Sequence, residues 1–234
     1  MKLKDKVALI TGAGRGIGKA VALDYAREGA KLAICARTGS EIEETARAIE
    51  AAGAECLALE CDVSQEGPVL KLIGDVEKRF GRIDVLINNA GVMTRPAPIT
   101  ELEVRKWDYT IAVNLRGPFL VTRAVLPIMV RRKSGSIINV SSSIGRSAYA
   151  NFAAYAASKW GLEGLTQTVA AEVGGRNIRV NSVEPGYVAT KLTGYSGSNP
   201  ESVTDVFVFL GSDESKNITG KQLSSSGWKS ELKK

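Results

Sequence analysis

Short apolar runs alternate along this chain with segments of helical spacing, and a cluster of glycines separates the first such pair. Residues 6–11 read Lys-Val-Ala-Leu-Ile-Thr, an apolar run that fits a strand buried on both faces. After the glycines, Ile17, Val21 and Tyr25 recur at helical intervals before Gly29, which supplies a stop signal. The sequence therefore predicts a strand, a tight turn and a helix near the N-terminus.

The same alternation continues to the end of the chain. Further strands are predicted at residues 31–35, 56–61, 83–88, 136–141 and 179–184, with a short one near 222–224. Helices are predicted near 40–52, 68–80, 103–132, 152–173 and 200–212, the third kinked or restarted at Gly117-Pro118. Strands and helices by turns form right-handed βαβ units. We expect one α/β domain, a Rossmann-like doubly wound sheet of about seven parallel strands with helices on both faces, because 234 residues fit a single core.

Composition argues against several classes of function. The chain has no histidine and only three cysteines, so we expect no metal site. An odd cysteine count without an apolar leader argues against a disulfide framework and predicts a cytoplasmic protein. No apolar stretch reaches membrane-spanning length, so we expect no membrane. The net charge of +6 is spread along the chain and clusters only in residues 229–234, which favours a solvated basic surface over a nucleic-acid footprint.

The glycines between the first strand and the first helix predict a phosphate-binding turn. Gly12, Gly16 and Gly18 stand where the backbone must turn sharply, and Gly14 adds freedom within the turn. Without side chains, such a turn lets a pyrophosphate approach the helix N-terminus. The spacing differs from the common G-x-G-x-x-G fingerprint, and a purely structural turn is the alternative.

The end of the second predicted strand indicates which dinucleotide is bound. Enzymes that use NAD usually place a carboxylate there, on the ribose 2′-hydroxyl. Ala36 cannot accept that hydrogen bond, whereas Arg37, with Arg15 in the glycine turn, has the charge to neutralise a 2′-phosphate. NADP(H) is therefore the predicted cofactor, the alternative being that both arginines are ordinary surface charges.

Tyr155 and Lys159 are four residues apart on a predicted helix and share one face of it. A nearby ammonium stabilises a phenolate and lowers the phenol pKa from about 10. With no histidine in the chain, this pair is the leading candidate for acid–base chemistry. An exposed Tyr–Lys pair on an amphipathic helix is the alternative.

Taken together, these features resemble the short-chain dehydrogenase/reductase family over nearly the whole chain. Each motif is short, and the order and spacing of the set are what make it specific. The motifs are T-G-x-x-x-G-x-G at residues 11–18, Asp62-Val63, Asn88-Asn-Ala-Gly91, Asn114, Ser142, Tyr155-x-x-x-Lys159, Asn181, Pro185-Gly186 and Thr190.

The resemblance implies catalytic roles for four residues. Tyr155 is the expected acid/base, donating a proton to a substrate carbonyl oxygen as hydride arrives from the nicotinamide. Lys159 is expected to lower the tyrosine pKa and to hydrogen-bond the nicotinamide ribose. Ser142 is expected to bind the carbonyl oxygen, and is preferred to Ser141 and Ser143 because its offset from Tyr155 matches the family. Asn114 is expected to hold a water in a proton relay behind Lys159, with a local helix-interior role as the alternative.

The resemblance also implies a set of cofactor-binding residues. Asp62 and Val63 are expected to face the adenine, Asn88, Ala90 and Gly91 to line the cofactor channel, and Val188 and Thr190 to orient the carboxamide. The full expected set is Gly12, Arg15, Gly16, Ile17, Gly18, Arg37, Asp62, Val63, Asn89, Ala90, Gly91, Tyr155, Lys159, Pro185, Gly186, Val188 and Thr190.

The segment near 191–199 departs from the family pattern. Family members commonly carry a longer mobile lid here, whereas this segment is short and mostly polar. The hypothesis is an open site, or one completed by a neighbouring subunit in a homo-oligomer, a dimer or a tetramer.

The predicted function is NADP(H)-dependent interconversion of a carbonyl and a secondary alcohol on a small-molecule substrate. A 3-oxoacyl-thioester reductase acting on an acyl carrier protein is slightly favoured, because NADP(H) usually serves reduction. A sugar or polyol dehydrogenase is an alternative. A non-catalytic dinucleotide-binding regulatory protein is the alternative from another class, since a fold does not identify a substrate.

Overall fold

The computed structural model describes residues 1–233, which build a seven-stranded parallel sheet between two layers of helices. The strands are β1 (Val7–Thr11), β2 (Lys31–Ala36), β3 (Cys56–Glu60), β4 (Val85–Asn88), β5 (Gly135–Val140), β6 (Ile178–Glu184) and β7 (Gln222–Ser224). Their order across the sheet is β3-β2-β1-β4-β5-β6-β7, and every neighbouring pair is parallel. The predicted doubly wound fold is confirmed.

The helices lie between successive strands, as the βαβ prediction requires, except for the last one, which follows β7. They are α1 (Gly16–Arg27), α2 (Gly39–Ala51), α3 (Glu66–Phe80), α4 (Val104–Ile111), α5 (Gly117–Arg132), α6 (Ala153–Val173), α7 (Asp205–Gly211) and α8 (Trp228–Glu231).

Alternate residues along each central strand enter two separate hydrophobic cores. Ala8 and Ile10 of β1 pack with α1, α2 and α7 on one face of the sheet. Leu9, between them, packs with α3, α5 and α6 on the other face. A strand projects successive residues to opposite faces of the sheet. Because helices cover both faces, both sets of side chains are buried. This explains why β1 reads as a continuous apolar run and not as an alternating one.

The sheet changes its winding direction between β1 and β4. The chain steps outward from β1 to β3, then crosses back to place β4 on the other side of β1. A crevice opens at the carboxyl ends of the strands at such a point, which is where ligands bind in folds of this kind.

The irregularity predicted near Gly117-Pro118 is present as a wider helical turn just before it, and α5 begins at Gly117 with the proline in its first turn. Residues Ala112–Arg116 form a π-helical segment between α4 and α5, and the Gly117 amide donates to the Ala112 carbonyl five residues back. A wider turn accommodates the proline ring, which clashes with a preceding carbonyl oxygen in a regular α-helix. The continuous helix Val104–Arg132 is long and apolar enough to cross a bilayer by composition, but half of its most apolar window is buried inside the domain. A core helix passes the same test.

The C-terminal region is less regular than predicted. The helix expected near 200–212 consists of a 3-10 segment, Pro200–Val203, followed by α7. The short helix α8 overlaps the start of the basic cluster of residues 229–234. Its first residue, Trp228, packs against Phe209 with 4.5 Å between the ring centres. Lys234 lies outside the described residues.

Candidate active site

A cavity of about 520 Å³ opens at the carboxyl edge of the sheet, over the ends of β1, β2, β4, β5 and β6. Nearly every residue predicted from the sequence lines it. The lining includes Gly12, Arg15, Gly16, Ile17, Arg37, Asp62, Val63, Asn89, Ala90, Gly91, Ser142, Tyr155, Lys159, Pro185, Gly186, Val188 and Thr190. Gly18 and Asn114 of the predicted set do not line it, and each has a different place in the structure.

The glycine turn leaves room that side chains would fill. Gly12 and Gly16 have φ values of +66° and +56°, which side-chain-bearing residues rarely adopt. A Cβ atom at Gly12 would lie 2.7 Å from the Ala90 Cα atom, and one at Gly16 would lie 3.0 Å from the Thr190 Cγ2 atom. α1 begins at Gly16, and the Arg15 side chain does not cap it. The first amides of α1 therefore keep their donors for a ligand, and the turn fits a dinucleotide pyrophosphate.

Gly18 serves packing instead of lining the cavity. A Cβ atom at this position would collide with the Asn89 Nδ2 atom and the Gly12 carbonyl oxygen. The missing side chain lets α1 approach the turn between β4 and α4 closely. A sequence pattern of glycines does not separate this packing role from ligand contact, because both need the absence of a Cβ atom.

Thr11 and Asn89 join the ends of β1 and β4 under the cavity. The Thr11 hydroxyl accepts hydrogen bonds from the amides of Asn89 (3.0 Å) and Ala90 (3.1 Å). The Asn89 side-chain amide donates to the carbonyl oxygens of Thr11 (2.9 Å) and Gly12 (3.0 Å). These four bonds fix the glycine turn relative to the lining residues Ala90 and Gly91.

Asn88 lies in the core, so its expected place along the cofactor channel was wrong. Its side chain donates to the Thr122 hydroxyl (3.1 Å) and to the Asn139 Oδ1 atom (2.9 Å). Asn88 ends β4, and successive strand residues face opposite sides of the sheet. Asn89, the next residue, reaches the cavity instead.

Asn114 holds the backbone of a cavity residue. Its Oδ1 atom accepts from the Val92 amide (2.8 Å), and its Nδ2 atom donates to the Val92 carbonyl (2.8 Å) and to the Ser158 hydroxyl (3.2 Å). Asn114 is 1 % exposed and lies in the π-helical segment. These bonds are long-range, unlike the local ones of the alternative interpretation. The proton-relay role stays a prediction.

The catalytic candidates converge at the end of β5 and the first two turns of α6. Ser142 follows β5 after one residue and lines the cavity together with Tyr155 and Lys159, and its hydroxyl accepts a hydrogen bond from the Ile144 amide (3.2 Å). Of the flanking serines, Ser141 is buried with an unpartnered hydroxyl and Ser143 is exposed. The preference for Ser142 rests on this shared geometry as well as on its sequence offset.

The Tyr155 pKa is raised, contrary to the expectation that Lys159 lowers it. Burial disfavours the charged phenolate and raises the pKa, and the Ser142 hydrogen bond offsets this in part. The Lys159 ammonium lies 5.6 Å from the Tyr155 ring centre. It donates instead to the Val140 carbonyl oxygen at 2.7 Å. The tyrosine is thus held as a proton donor at neutral pH.

Lys159 is itself a tuned group. The side chain is 5 % exposed, and burial lowers its pKa to about 8. The Glu163 carboxylate, one turn further along α6, opposes this by raising the pKa. Glu163 is held by the Ser182 hydroxyl and the Gln222 side-chain amide, both at 2.8 Å. Glu163 was not predicted from the sequence, because nothing in the local pattern shows that β6 and β7 bury it.

At the other end of the cavity, charged residues surround the end of β2. Arg37 donates to the Tyr109 hydroxyl at 2.6 Å and lies over that ring. Arg15 forms an ion pair with Glu41 in the first turn of α2. The Asp62 carboxylate accepts hydrogen bonds from the Ser64 amide and hydroxyl, and these bonds fix the orientation of the Asp62 side chain.

Several lining residues were not anticipated. They are Glu41, Cys61, Val92, Met93, Tyr109, Val113, Leu192 and Thr193 among others. Glu41 and Tyr109 come from α2 and α4, distant in sequence from the glycine turn that they face. No motif marks them, and only helix packing brings them to the cavity.

The segment after β6 closes on itself beside the cavity. Val188 and Ser198 form an isolated bridge, and the Thr193 hydroxyl donates to the Val188 carbonyl at 2.6 Å. Lys191, Leu192 and Thr193 line the cavity, while Tyr195 is exposed. The short-lid hypothesis stays a prediction. It is supported by the lining, in which Leu192 is the apolar residue that this segment contributes to the cavity.

The arrangement combines a phosphate cradle at one end with a partly buried proton donor, Tyr155, at the other. A phenol, a hydroxyl and an ammonium meet within one cavity, where low dielectric strengthens each hydrogen bond. Such a set can protonate an oxygen whose carbon accepts hydride.

Comparisons with known proteins agree with this geometry. The family model described as short chain dehydrogenase matches residues 6–201. The chain is 38 % identical to the 3-oxoacyl-(acyl-carrier-protein) reductase FabG of Thermotoga maritima, over 97 % of this chain and 98 % of that protein. It is 38 % identical to (3R)-3-hydroxyacyl-CoA dehydrogenase of Mus musculus, over 97 % of each chain.

Solved structures show the same fold over nearly the full length. Levodione reductase superposes with a TM-score of 0.92 at 31 % identity, covering 95 % of this chain and 96 % of that one. NAD⁺-bound xylitol dehydrogenase superposes with a TM-score of 0.91 at 30 % identity, covering 96 % and 98 %. This oxidoreductase chain belongs to the short-chain dehydrogenase/reductase family, whose members bind NAD(P)(H).

Proposed function

We propose that this enzyme is an NADP(H)-dependent reductase that converts a carbonyl to a secondary alcohol, with Tyr155 as acid and base. The observation that carries the proposal is the convergence of Ser142, Tyr155 and Lys159 on one wall of the cavity that the glycine turn also lines. A bound reduced nicotinamide supplies the hydride. Tyr155 donates its phenolic proton to the carbonyl oxygen, and Ser142 hydrogen-bonds that oxygen and so polarises the carbonyl.

The direction of the Tyr155 pKa supports reduction. A phenol whose pKa is raised by burial stays protonated and can donate. Lys159, whose pKa is lowered to about 8, is mainly an ammonium at neutral pH and restores charge balance as the phenolate forms. Alcohol oxidation requires the opposite start, a phenolate, and is therefore expected to need higher pH.

The end of β2 supports NADP(H). Ala36 brings no carboxylate, and Arg37 binds a neutral tyrosine hydroxyl, which leaves its charge available to a 2′-phosphate. The similarity to a 3-oxoacyl-(acyl-carrier-protein) reductase and to (3R)-3-hydroxyacyl-CoA dehydrogenases makes a 3-oxoacyl thioester the first substrate to test.

The test is a panel of substrates offered with NADPH and with NADH, followed by the absorbance of the reduced nicotinamide. Acetoacetyl thioesters of coenzyme A and of acyl carrier protein are expected to be reduced, faster with NADPH. The Tyr155→Phe variant is expected to lose about 10²- to 10⁴-fold in kcat while it keeps its affinity for NADPH. Tyr149→Phe, at an exposed tyrosine, is the matched control. Full activity of Tyr155→Phe would refute the assignment.

A polyol dehydrogenase is the second candidate. The similarity to NAD⁺-bound xylitol dehydrogenase and the mostly polar segment beside the cavity favour it. The same panel decides between the two, because a polyol enzyme oxidises xylitol with NAD⁺ and leaves acetoacetyl thioesters unchanged. Binding of NADPH with no turnover of any member would instead favour the regulatory alternative.

We also propose a homo-oligomer, a dimer or a tetramer. Phe119 on α5 and Trp160 on α6 are 46 % and 52 % exposed, and large exposed aromatic side chains favour burial at an interface. Light scattering of the purified protein tests this, and a monomer at micromolar concentration would contradict it.

A cytoplasmic location is proposed on the state of the cysteines. Cys35, Cys56 and Cys61 are all free thiols, and two of them are buried. Fractionation of cells that express the protein tests the proposal, which recovery of the enzyme from a secreted or membrane fraction would refute.

A further inference from the structure

An ion pair joins the glycine turn to the helix that follows β2. The Arg15 guanidinium, just before α1, contacts the Glu41 carboxylate in the first turn of α2. Both side chains line the cavity, and they are 44 % and 35 % exposed. Glu41 and Asp62 are the two carboxylates that line this cavity among residues 1–233. The Asp62 Oδ1 atom accepts from Ser64, whereas Glu41 is the carboxylate that contacts a cation of the turn.

The Glu41 carboxylate lies beside the point where the chain leaves β2. A Cβ atom built on Gly14 would lie 3.3 Å from the Glu41 Oε2 atom and 3.4 Å from the Ala36 Cβ atom. Glycine at 14 thus leaves space between the turn, the end of β2 and this carboxylate. Enzymes selective for NAD place a carboxylate at the end of β2 itself. Here Ala36 is apolar and α2 brings a carboxylate to the same place.

The two arginines near the end of β2 differ in charge balance. Arg37 binds the neutral hydroxyl of Tyr109, so its positive charge is uncompensated in this contact. Arg15 is neutralised by Glu41. A 2′-phosphate carries about −1.5 to −2 charges at neutral pH. To bind Arg15 the phosphate must therefore displace Glu41, whereas a 2′-hydroxyl meets no such cost.

We propose that Glu41 sets the preference between the phosphorylated and unphosphorylated dinucleotide, by competing with the 2′-phosphate for Arg15. This inference rests on the proposed function, because it requires NADP(H) to bind in this cavity. Arg37 attracts the phosphate, and Glu41 limits how much Arg15 adds. Removal of the Glu41 charge therefore strengthens binding of 2′-phosphorylated ligands selectively.

The experiment measures dissociation constants for NADPH and NADH by nicotinamide fluorescence, and for adenosine 2′,5′-bisphosphate and AMP by calorimetry. The proteins are the wild type, Glu41→Gln, Arg15→Gln and the double variant. Glu44→Gln is the control, since Glu44 is on the same helix, forms an ion pair with Lys19 and does not line the cavity. Glu41→Gln is expected to tighten the two 2′-phosphorylated ligands about 3- to 10-fold and to change NADH and AMP less than twofold. This gain is expected to vanish when Arg15 is also replaced.

Three results would overturn the inference: a phosphorylated-to-unphosphorylated ratio unchanged from that of Glu44→Gln, a gain that persists without Arg15, or a selective loss of NADH affinity. Glu41 also stabilises the N-terminus of α2 through its charge, but loss of that effect weakens all four ligands alike. If the wild type binds neither dinucleotide, the proposed function fails. If it binds both and the ratio does not move, only the role of Glu41 fails.

Discussion

The Lys159 ammonium donates a 2.7 Å hydrogen bond to the carbonyl oxygen of Val140, the last residue of β5. This bond joins α6, which carries Tyr155, to the strand that precedes Ser142. A buried lysine therefore links the two elements that carry the catalytic candidates, and burial lowers the pKa of that lysine to about 8.

The pH dependence of the enzyme should report the charge of Lys159. The value of kcat/KM for the dinucleotide reflects the free enzyme. It is expected to fall as pH rises through about 8, because Lys159 loses its proton there. In Glu163→Gln the negative charge that raises this pKa is gone, so the fall should begin at a lower pH than in the wild type.

Glu172→Gln is the control for this pH measurement, since Glu172 is exposed on the same helix. Profiles for wild type and Glu163→Gln that superimpose would show that Glu163 does not act on Lys159. A lower rate with an unmoved inflection would indicate a structural role only.

Ser142 should matter far more than Ser143. Ser142→Ala removes a donor to the substrate oxygen, and kcat for reduction is expected to fall about 10²- to 10³-fold. It also removes the hydrogen bond that lowers the Tyr155 pKa, so the basic limb of alcohol oxidation should move to higher pH. Steady-state kinetics in both directions measures this, with Ser143→Ala as the control. Equal losses in the two variants would contradict the assignment.

Asn114 should contribute to stability through Val92. Asn114→Ala leaves the partly buried Val92 amide and carbonyl without their side-chain partner. The free energy of unfolding is expected to fall by about 2–4 kcal/mol. Urea denaturation measures this against Asn199→Ala, an exposed position whose side chain makes no cap hydrogen bond. A loss below about 0.5 kcal/mol in Asn114→Ala, the range of ordinary surface changes, would refute the role.

Two helical glycines should respond to alanine in opposite directions. Gly18→Ala places a Cβ atom against Asn89 and the Gly12 carbonyl, so it should destabilise the protein by about 1–3 kcal/mol and weaken dinucleotide binding. Gly74→Ala, in α3, meets nothing within 4 Å and should stabilise it by about 0.5–1 kcal/mol. Thermal unfolding with and without NADPH distinguishes them, and changes of the same sign would contradict the packing argument.

Local patterns of the sequence determine most of the fold. The strand and helix bounds follow from apolar runs and helical spacing, because strands covered on both faces need continuous apolar residues. The irregularity near Gly117-Pro118 was predicted, but its form was not: the π-helical turn Ala112–Arg116 precedes the proline, and α5 continues from Gly117. Local propensity does not show whether a neighbouring turn can widen.

The family resemblance carried by the motifs identified most of the residues around the cavity. Spacing alone indicated that Tyr155 and Lys159 share a helix face. Tertiary structure alone decided the charges that act on them. Burial raises the Tyr155 pKa, and Glu163 acts on Lys159 beneath β6 and β7. Glu41 reaches Arg15 only because α2 packs beside the glycine turn. Desolvation and ion pairing depend on distances between segments remote in sequence, which no local pattern encodes.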